Sequence, residues 1–131
     1  MQNRKGKYKM TKDEFYKKWL EHFAVGISKK DLKKYVISTG NLIWHTFSWE
    51  LLDDNKFLAG DDAKNAYDKI DKHGAMYIEW FEDEKTHDIT CELNSAKALD
   101  KMVEVYVVAP DFSWTYIKTH ESMCGPYFMK I

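Results

Sequence analysis

The pair His120-Glu121 is the place in this chain best suited to proton-transfer chemistry. Histidine titrates near neutral pH, and a nearby carboxylate orients the imidazole or accepts its proton. Adjacent residues of an extended chain point to opposite faces, so the pair needs a partner from another segment. A second aromatic-rich segment supplies His45 and Glu50. The candidate catalytic residues are therefore His45, Glu50, His120 and Glu121.

Strand alternation predicts which side chains accompany the two histidines. In an extended segment 42–49, Trp49 shares a face with His45. In an extended segment after residue 112, Trp114 shares a face with His120. We predict that the two segments meet in one pocket, with a wall formed by Trp44, His45, Trp114, His120 and Glu121.

Each histidine also has a purely structural interpretation. A buried imidazole normally finds a hydrogen-bond partner in the backbone or in a nearby side chain. Thr46 follows His45 and Thr119 precedes His120, so each ring has a hydroxyl close at hand. The sequence leaves enzymatic activity undecided.

The aromatic residues of the two segments are candidates for a binding surface. Aromatic residues make up 15% of the chain and include five tryptophans, more than one small core usually needs. Exposed Trp and Tyr are favoured in protein interfaces. The alternative is that they fill a core poor in Leu and Ile. The predicted binding residues are Trp44, Trp49, Trp114 and Tyr116.

Metal binding and nucleophilic catalysis are weaker interpretations of the same region. His120 and Cys124 have i, i+4 spacing, but no HExxH or CxxC motif supplies the further ligands that a metal needs. We predict no metal site and no cofactor. A Cys124–His120 nucleophile pair is conceivable, although a cysteine is more often simply buried.

Composition and cysteine usage narrow the class of protein. A chain of 131 residues with 44% hydrophobic and 31% charged residues is typical of a globular domain. It has two cysteines, no apolar leader, and no run near the ~20 apolar residues of a membrane span. We expect a cytoplasmic protein with reduced thiols and no membrane contact.

Charge is distributed unevenly along the chain. Residues 1–34 contain eleven Lys or Arg and four Asp or Glu, a balance of +7, whereas the remainder contains nine and seventeen, a balance of −8. A basic arm suits nucleic acid, but no zinc-finger, RNP or Gly-rich phosphate motif accompanies these lysines. We expect a flexible basic leader at residues 1–10, a single domain at residues 11–131, and no nucleic-acid partner.

Capping signals predict four helices. Thr11 with Glu14 three residues later is a capping box, and Gly26 ends the helix that follows. Ser28 begins a second helix that turns its lysines to solvent. Two later helices begin at Asp61 or Asp62, ending at Ile70, and at Ser95, ending near Lys101.

Runs of branched and aromatic residues predict the strands, at 42–49, 76–81, 89–93, 103–109 and 113–118, with residues 125–128 closing a sheet edge. A helix over 44–52 is the alternative for the first run, because short apolar runs suit either structure. The order of elements favours an α+β fold: a mainly antiparallel sheet of about five strands with three to four helices packed on it.

The sequence motifs of the aromatic segments resemble those of a small bacterial family of single-domain proteins of unknown function. Its hallmarks stand here as Trp44-His45-Thr46-Phe47-Ser48-Trp49-Glu50, Asp111-Phe112-Ser113-Trp114-Thr115-Tyr116, Thr119-His120-Glu121 and Gly125-Pro126-Tyr127-Phe128. The resemblance covers about residues 11–128. It implies a compact cytosolic bacterial protein and transfers no catalytic residue.

Three functions fit these observations. The aromatic surplus and the acidic balance beyond residue 34 favour an interaction module with a protein partner. The alternative is a small hydrolase-like enzyme that uses His120 and a carboxylate as general acid and base. A second alternative is a nucleic-acid binder that uses the basic N-terminal helices. The sequence predicts neither a ligand nor an oligomeric state.

Overall fold

The computed structural model describes residues 9–131. Met10, the end of the predicted leader, is buried and exchanges two hydrogen bonds with Thr86, while residues 1–8 of that leader lie outside the described residues. The helices are α1 (Lys12–Phe23), α2 (Lys29–Tyr35), α3 (His45–Ser48), α4 (Asp61–Lys69) and α5 (Ala96–Leu99). The strands are β1 (Phe57–Ala59), β2 (Met76–Glu79), β3 (His87–Asp88), β4 (Val105–Val108), β5 (Trp114–Lys118) and β6 (Tyr127–Lys130).

These strands form one antiparallel sheet in the order β1-β6-β5-β4-β2-β3. The predicted α+β fold and mainly antiparallel sheet are confirmed. The sheet has one strand more than predicted, because β1 is three residues long and too short to show an alternating pattern. β6 was predicted at the sheet edge but lies between β5 and β1, since β1 pairs with its outer side.

Side-chain alternation gives the sheet two buried faces. On β4, Tyr106 and Val108 pack in a cluster with α1 and α3, which we call the first face. Val105 and Val107 point the other way and pack in a cluster with α4 and α5, the second face. This period-two alternation in a strand that is fully buried explains why β4 reads as a continuous apolar run.

The first two helices begin where the sequence predicts. Glu14 N donates to Thr11 Oγ1 (3.2 Å) and Thr11 N donates to Glu14 Oε1 (2.9 Å), which confirms the capping box. Ser28 caps α2. Trp19 fixes α1 to the sheet, because its indole Nε1 donates to Thr115 Oγ1 on β5 at 3.0 Å.

The predicted strand at 42–49 is wrong. The helical alternative over 44–52 is correct in type, but the helix is shorter and spans His45–Ser48. Ser48 N donates to Trp44 O, and Trp49 N donates to His45 O, as in a helix. A short helix buries both tryptophan and phenylalanine at i, i+3 spacing, whereas a strand would turn one of them away from the core. The residues that it and its preceding turn bury are Ile43, Trp44, Thr46 and Phe47.

The predicted strand at 89–93 is also wrong. Antiparallel pairing with β2 occurs earlier, where Tyr77 lies opposite His87, and Cys91–Leu93 forms a 3₁₀ turn instead. The N-cap of α4 is Gly60 rather than an aspartate, so Asp61 lies in the first turn, where a negative charge favours the helix dipole. Within residues 9–131, every helix is too short or too polar to cross a membrane.

Candidate functional site

A buried glutamate lies at the end of the sheet where β2 and β5 finish and β4 begins. Glu104 immediately precedes β4, and its backbone oxygen accepts a hydrogen bond from Trp80 N at 2.8 Å. Its side chain has no solvent exposure. Alternation along β4 places it on the first face with Tyr106, so a carboxylate enters an otherwise apolar layer.

Four hydrogen-bond donors surround this carboxylate. Trp44 Nε1 donates to Oε2 at 3.1 Å, and the Tyr106 hydroxyl donates to the same oxygen. The backbone N of His120 donates to Oε1 at 3.0 Å, and its ring Nδ1 donates to Oε1 at 2.5 Å. Burial of a carboxylate is unfavourable by several kcal/mol unless such bonds replace water, so these donors are required for the fold. Burial, followed by the Glu104 charge and hydrogen bond, raises the pKa of Tyr106 well above its ordinary value.

The His120 ring is held on several sides. Nδ1 binds Glu104, and Nε2 lies 3.3 Å from Oε2 of Glu121. The ring meets Trp44 and Phe81 edge-on, with centroid distances of 5.8 Å and 5.5 Å. Its side chain keeps 32% exposure, so an imidazole of fixed orientation reaches solvent.

The turn after β5 shapes the loop side of the site. Thr119 Oγ1 lies 2.6 Å from the carbonyl oxygen of Cys124, and Cys124 N donates to Glu121 O at 3.0 Å. Gly125 follows with a φ of +85°, and a Cβ atom there would lie 3.1 Å from the Tyr127 ring. The loop therefore needs glycine at this position, for its backbone and for its packing.

Two hollows flank this loop. The His120 hollow has a volume of about 380 Å³, with Leu42, Trp44, His45, Ser48 and Trp49 on one side and His120, Glu121 and Cys124 on the other. The Lys64 hollow, of about 300 Å³, shares His120, Glu121 and Cys124 but adds Lys64, Asp100 and Lys118. Residues of segment 42–49 therefore meet His120, Glu121 and Cys124 at one site, through α3 rather than through a strand.

Among the predicted catalytic residues, Glu50 is the one that lies elsewhere. It follows α3 with a φ of +57° and lines a different hollow with Asp53 and Asp54. His45 does line the His120 hollow, and its Nδ1 donates to Tyr35 O at 2.8 Å, because a carbonyl can only accept. This hydrogen bond to a backbone carbonyl agrees with the purely structural interpretation of His45, in which the imidazole finds its partner in the backbone.

Among the predicted binding residues, Trp114 and Tyr116 lie on the second face, away from His120. Tyr116 stacks on Tyr67 at a centroid distance of 4.5 Å, and Trp114 stacks on Phe128 at 5.9 Å. The predicted shared face with His120 is wrong, because β5 ends at Lys118 and the chain turns before His120. Trp44 is buried beside His120, whereas Trp49 is 58% exposed at the hollow.

Glu104 is a residue of the site that no sequence motif singled out. Glu104 interrupts a run of branched and aromatic residues, Val103 to Val108, at a position in phase with Tyr106. A carboxylate that shares a strand face with buried residues is unusual, and this pattern could have identified Glu104 from the sequence. Over residues 9–131, no group of three or more His, Cys, Asp or Glu side chains is arranged to hold a metal ion.

These features define an α+β protein whose antiparallel sheet carries, at one end, an imidazole bound to a buried carboxylate. The chain belongs to the family of the domain of unknown function DUF4275, which matches residues 3–128. That match confirms the resemblance to a small family of unknown function. No curated protein and no solved structure matches the chain.

Proposed function

We propose that the protein is an interaction module that binds a partner protein at the His120 hollow. The observation that carries this proposal is a set of three exposed apolar side chains at or beside the hollow, which we call the apolar rim. Trp49 lines the hollow, Phe81 contacts the His120 ring, and Met123 lies in the chain between two residues that line it. The exposures of these three side chains are 58%, 53% and 92%. Clusters of large exposed apolar side chains around a concave site are typical of protein-binding surfaces.

Each member of the apolar rim is tied to the hollow. Trp49 lines it, and Phe81 meets the His120 ring at 5.5 Å. Met123 lies in the turn that Glu121 and Cys124 close by a backbone hydrogen bond. Trp and Met are enriched at interfaces because they offer a large apolar area, and Met adapts its shape to a partner.

The floor of the hollow is rigid, which favours binding. Glu104 fixes both the Trp44 indole and the His120 ring, and neither group has to be ordered when a partner arrives. The Trp49 ring packs against the Tyr35 ring at a tilt of 36°, with centroids 5.4 Å apart, which limits the rotamers it loses on binding. A rigid centre with apolar neighbours is the usual form of a binding hot spot.

Comparative affinity capture from the cells that produce this protein tests the proposal. The baits are wild type, the rim variant Trp49→Ser/Phe81→Ser/Met123→Ser, and the control Leu58→Ser, which removes an apolar side chain of 43% exposure on β1. We expect a partner that wild type and Leu58→Ser retain at equal yield and that the rim variant loses. Equal yields with all three baits would contradict the proposal.

Acid–base catalysis is the second candidate, and the Glu104–His120 bond favours it. A carboxylate that holds Nδ1–H leaves Nε2 as the atom that takes a proton from water and returns it to a leaving group. Hydrolysis of chromogenic esters, amides and phosphate esters tests this activity. If the protein is such a catalyst, the hydrolysis rate should fall in His120→Gln and in Glu104→Gln. Equal rates for wild type and both variants would contradict it.

We also propose that residues 11–131 act as one domain in the cytoplasm. Both clusters of buried residues pack on the same sheet, and α1 is bonded to its central strand β5 through Trp19. Cys91 and Cys124 are free thiols, as reducing compartments maintain. Limited proteolysis, with one resistant fragment that begins near residue 11, is the expected result.

A further inference from the structure

We infer that the partner inserts an arginine side chain into the His120 hollow, with its guanidinium against Trp49 and its N–H groups on the Glu121 carboxylate. This inference rests on the proposed protein-binding function and names the chemistry of the residue that the hollow receives. It follows from the charge, the walls and the size of the hollow.

The charge of the hollow is negative. Glu121 lines it with a side chain that is 56% exposed, and the buried Glu104 lies directly behind His120. Two carboxylates against one imidazole leave a negative balance in either protonation state of His120. Of the described residues that line the hollow, none is a lysine or an arginine. A cationic group therefore supplies the missing charge.

The two lysines that line the neighbouring Lys64 hollow are engaged with other groups. Lys64 pairs with Asp100 at 3.6 Å, and Lys118 Nζ lies 2.5 Å from the carbonyl oxygen of Met102. Both line the Lys64 hollow and neither lines the His120 hollow. The two hollows thus differ in charge, although they share His120, Glu121 and Cys124.

The walls of the hollow select a planar cation. Trp44 and Trp49 are both on its wall, and Trp49 exposes more than half of its surface. A guanidinium stacks on an indole face and binds a carboxylate with two parallel hydrogen bonds, whereas an ammonium acts as a point charge. Arginine is therefore a better occupant than lysine.

The size of the hollow fits one side chain. Its volume of about 380 Å³ is small for a ligand site, and such sites commonly span roughly 300–1,000 Å³. The apolar rim then covers the stem of the inserted side chain and the residues beside it. Insertion of one basic side chain under an apolar rim is typical of hot-spot recognition.

Selection from a displayed library of short random peptides tests this inference. The baits are the wild-type chain, Glu121→Gln, Trp49→Ser and the control Leu58→Ser. We expect wild type and Leu58→Ser to enrich arginine-containing peptides. For a selected peptide, affinity falls by roughly 10- to 100-fold in Glu121→Gln, and by a similar factor when citrulline replaces the peptide arginine.

The outcomes separate the two proposals. Peptides that need Trp49 but show no arginine enrichment overturn the arginine inference and leave the binding surface in place. Arginine peptides with equal affinity for Glu121→Gln and wild type also overturn the inference. Peptides that bind Trp49→Ser and wild type equally, or a library that yields no binder, overturn both the inference and the proposed binding surface.

Discussion

Nδ1 of His120 lies 2.5 Å from Oε1 of Glu104, a carboxylate without solvent exposure. The same glutamate binds Trp44, which comes from the turn before α3. One buried side chain therefore holds together the N-terminal aromatic segment, the start of β4 and the loop after β5. The site depends on Glu104 more than on any of the predicted catalytic or binding residues.

Replacement of Glu104 by alanine should destabilise the protein strongly. The variant leaves the Trp44 indole N–H, the Tyr106 hydroxyl and the His120 backbone N–H without their acceptor. We expect a loss of about 3–5 kcal/mol in the free energy of unfolding, measured by urea denaturation. Glu121→Gln, at a side chain with 56% exposure, is the matched control and should stay within about 0.5 kcal/mol of wild type. A Glu104→Ala variant as stable as this control would contradict the structural role.

The two tryptophans of the His120 hollow should respond differently to substitution. Trp44 is 4% exposed and donates to Glu104, so Trp44→Phe should reduce stability by about 1–3 kcal/mol. Trp49 is 58% exposed, so Trp49→Ser should change stability by no more than about 0.5 kcal/mol. Urea denaturation measures both. Large losses in both variants would mean that Trp49 serves the core rather than a surface.

Removal of the Tyr116 hydroxyl should be tolerated at neutral pH. This oxygen is buried and has no hydrogen-bond partner among the described residues. Tyr116→Phe should therefore keep the free energy of unfolding within about 1 kcal/mol of wild type or raise it. Tyr67→Phe, which loses a hydrogen bond to Leu93 O, is the contrasting variant and should be less stable than Tyr116→Phe.

The same variant should alter the response to alkaline pH. Burial, followed by the charge of Asp100, raises the pKa of Tyr116 well above 10.0. Between the unfolded and folded pKa values the folded chain binds more protons, so stability is full below about pH 10 and is lost as the pH rises above it. Above about pH 10, each such tyrosine makes the free energy of unfolding fall by roughly 1.4 kcal/mol per pH unit. Tyr116→Phe should therefore reduce this pH dependence by the contribution of one tyrosine. An unchanged slope would contradict the raised pKa.

Substitution of Gly125 should test the packing of the loop. Gly125→Ala places a Cβ atom 3.1 Å from the Tyr127 ring at a φ of +85°. Gly26→Ala is a matched control, because Gly26 has a φ of +90° and open space around it. Both variants should lose about 1–2 kcal/mol through the backbone, and Gly125→Ala should lose at least about 1 kcal/mol more. Equal losses would show that the Tyr127 contact has no energetic weight.

Local signals were sufficient for the parts of the fold that depend on neighbours in sequence. The capping box at Thr11 and Glu14 depends on side chains three residues apart, so it predicted the start of α1. β4 could be predicted because an unbroken apolar run is typical of a strand that is buried on both faces. The prediction for residues 42–49 failed because a short run in which five of eight residues are apolar or aromatic fits both the strand and the helix period, and only its packing against the sheet decides between them.

The site was predictable only in part. That His45 and His120 line one hollow was a prediction that no pattern in the sequence established, and Glu104, which binds His120 and Trp44, is a contact between residues distant in sequence. Trp114 was assigned to the same face as His120 because alternation was extended past the end of β5. The predicted strand 113–118 ends at the same residue as β5, but a turn follows it, and the direction in which that turn points His120 depends on packing that local sequence does not encode.

Site-specific photo-crosslinking tests the central claim most directly. A benzophenone amino acid replaces Met123 on the apolar rim, or Leu58 on β1 as the control, in cells that produce the protein. We predict a discrete crosslinked partner from position 123, its loss when Trp49→Ser is added, and no such product from position 58. A position 123 that yields no product, or the same products as position 58, would contradict a partner-binding surface at the His120 hollow.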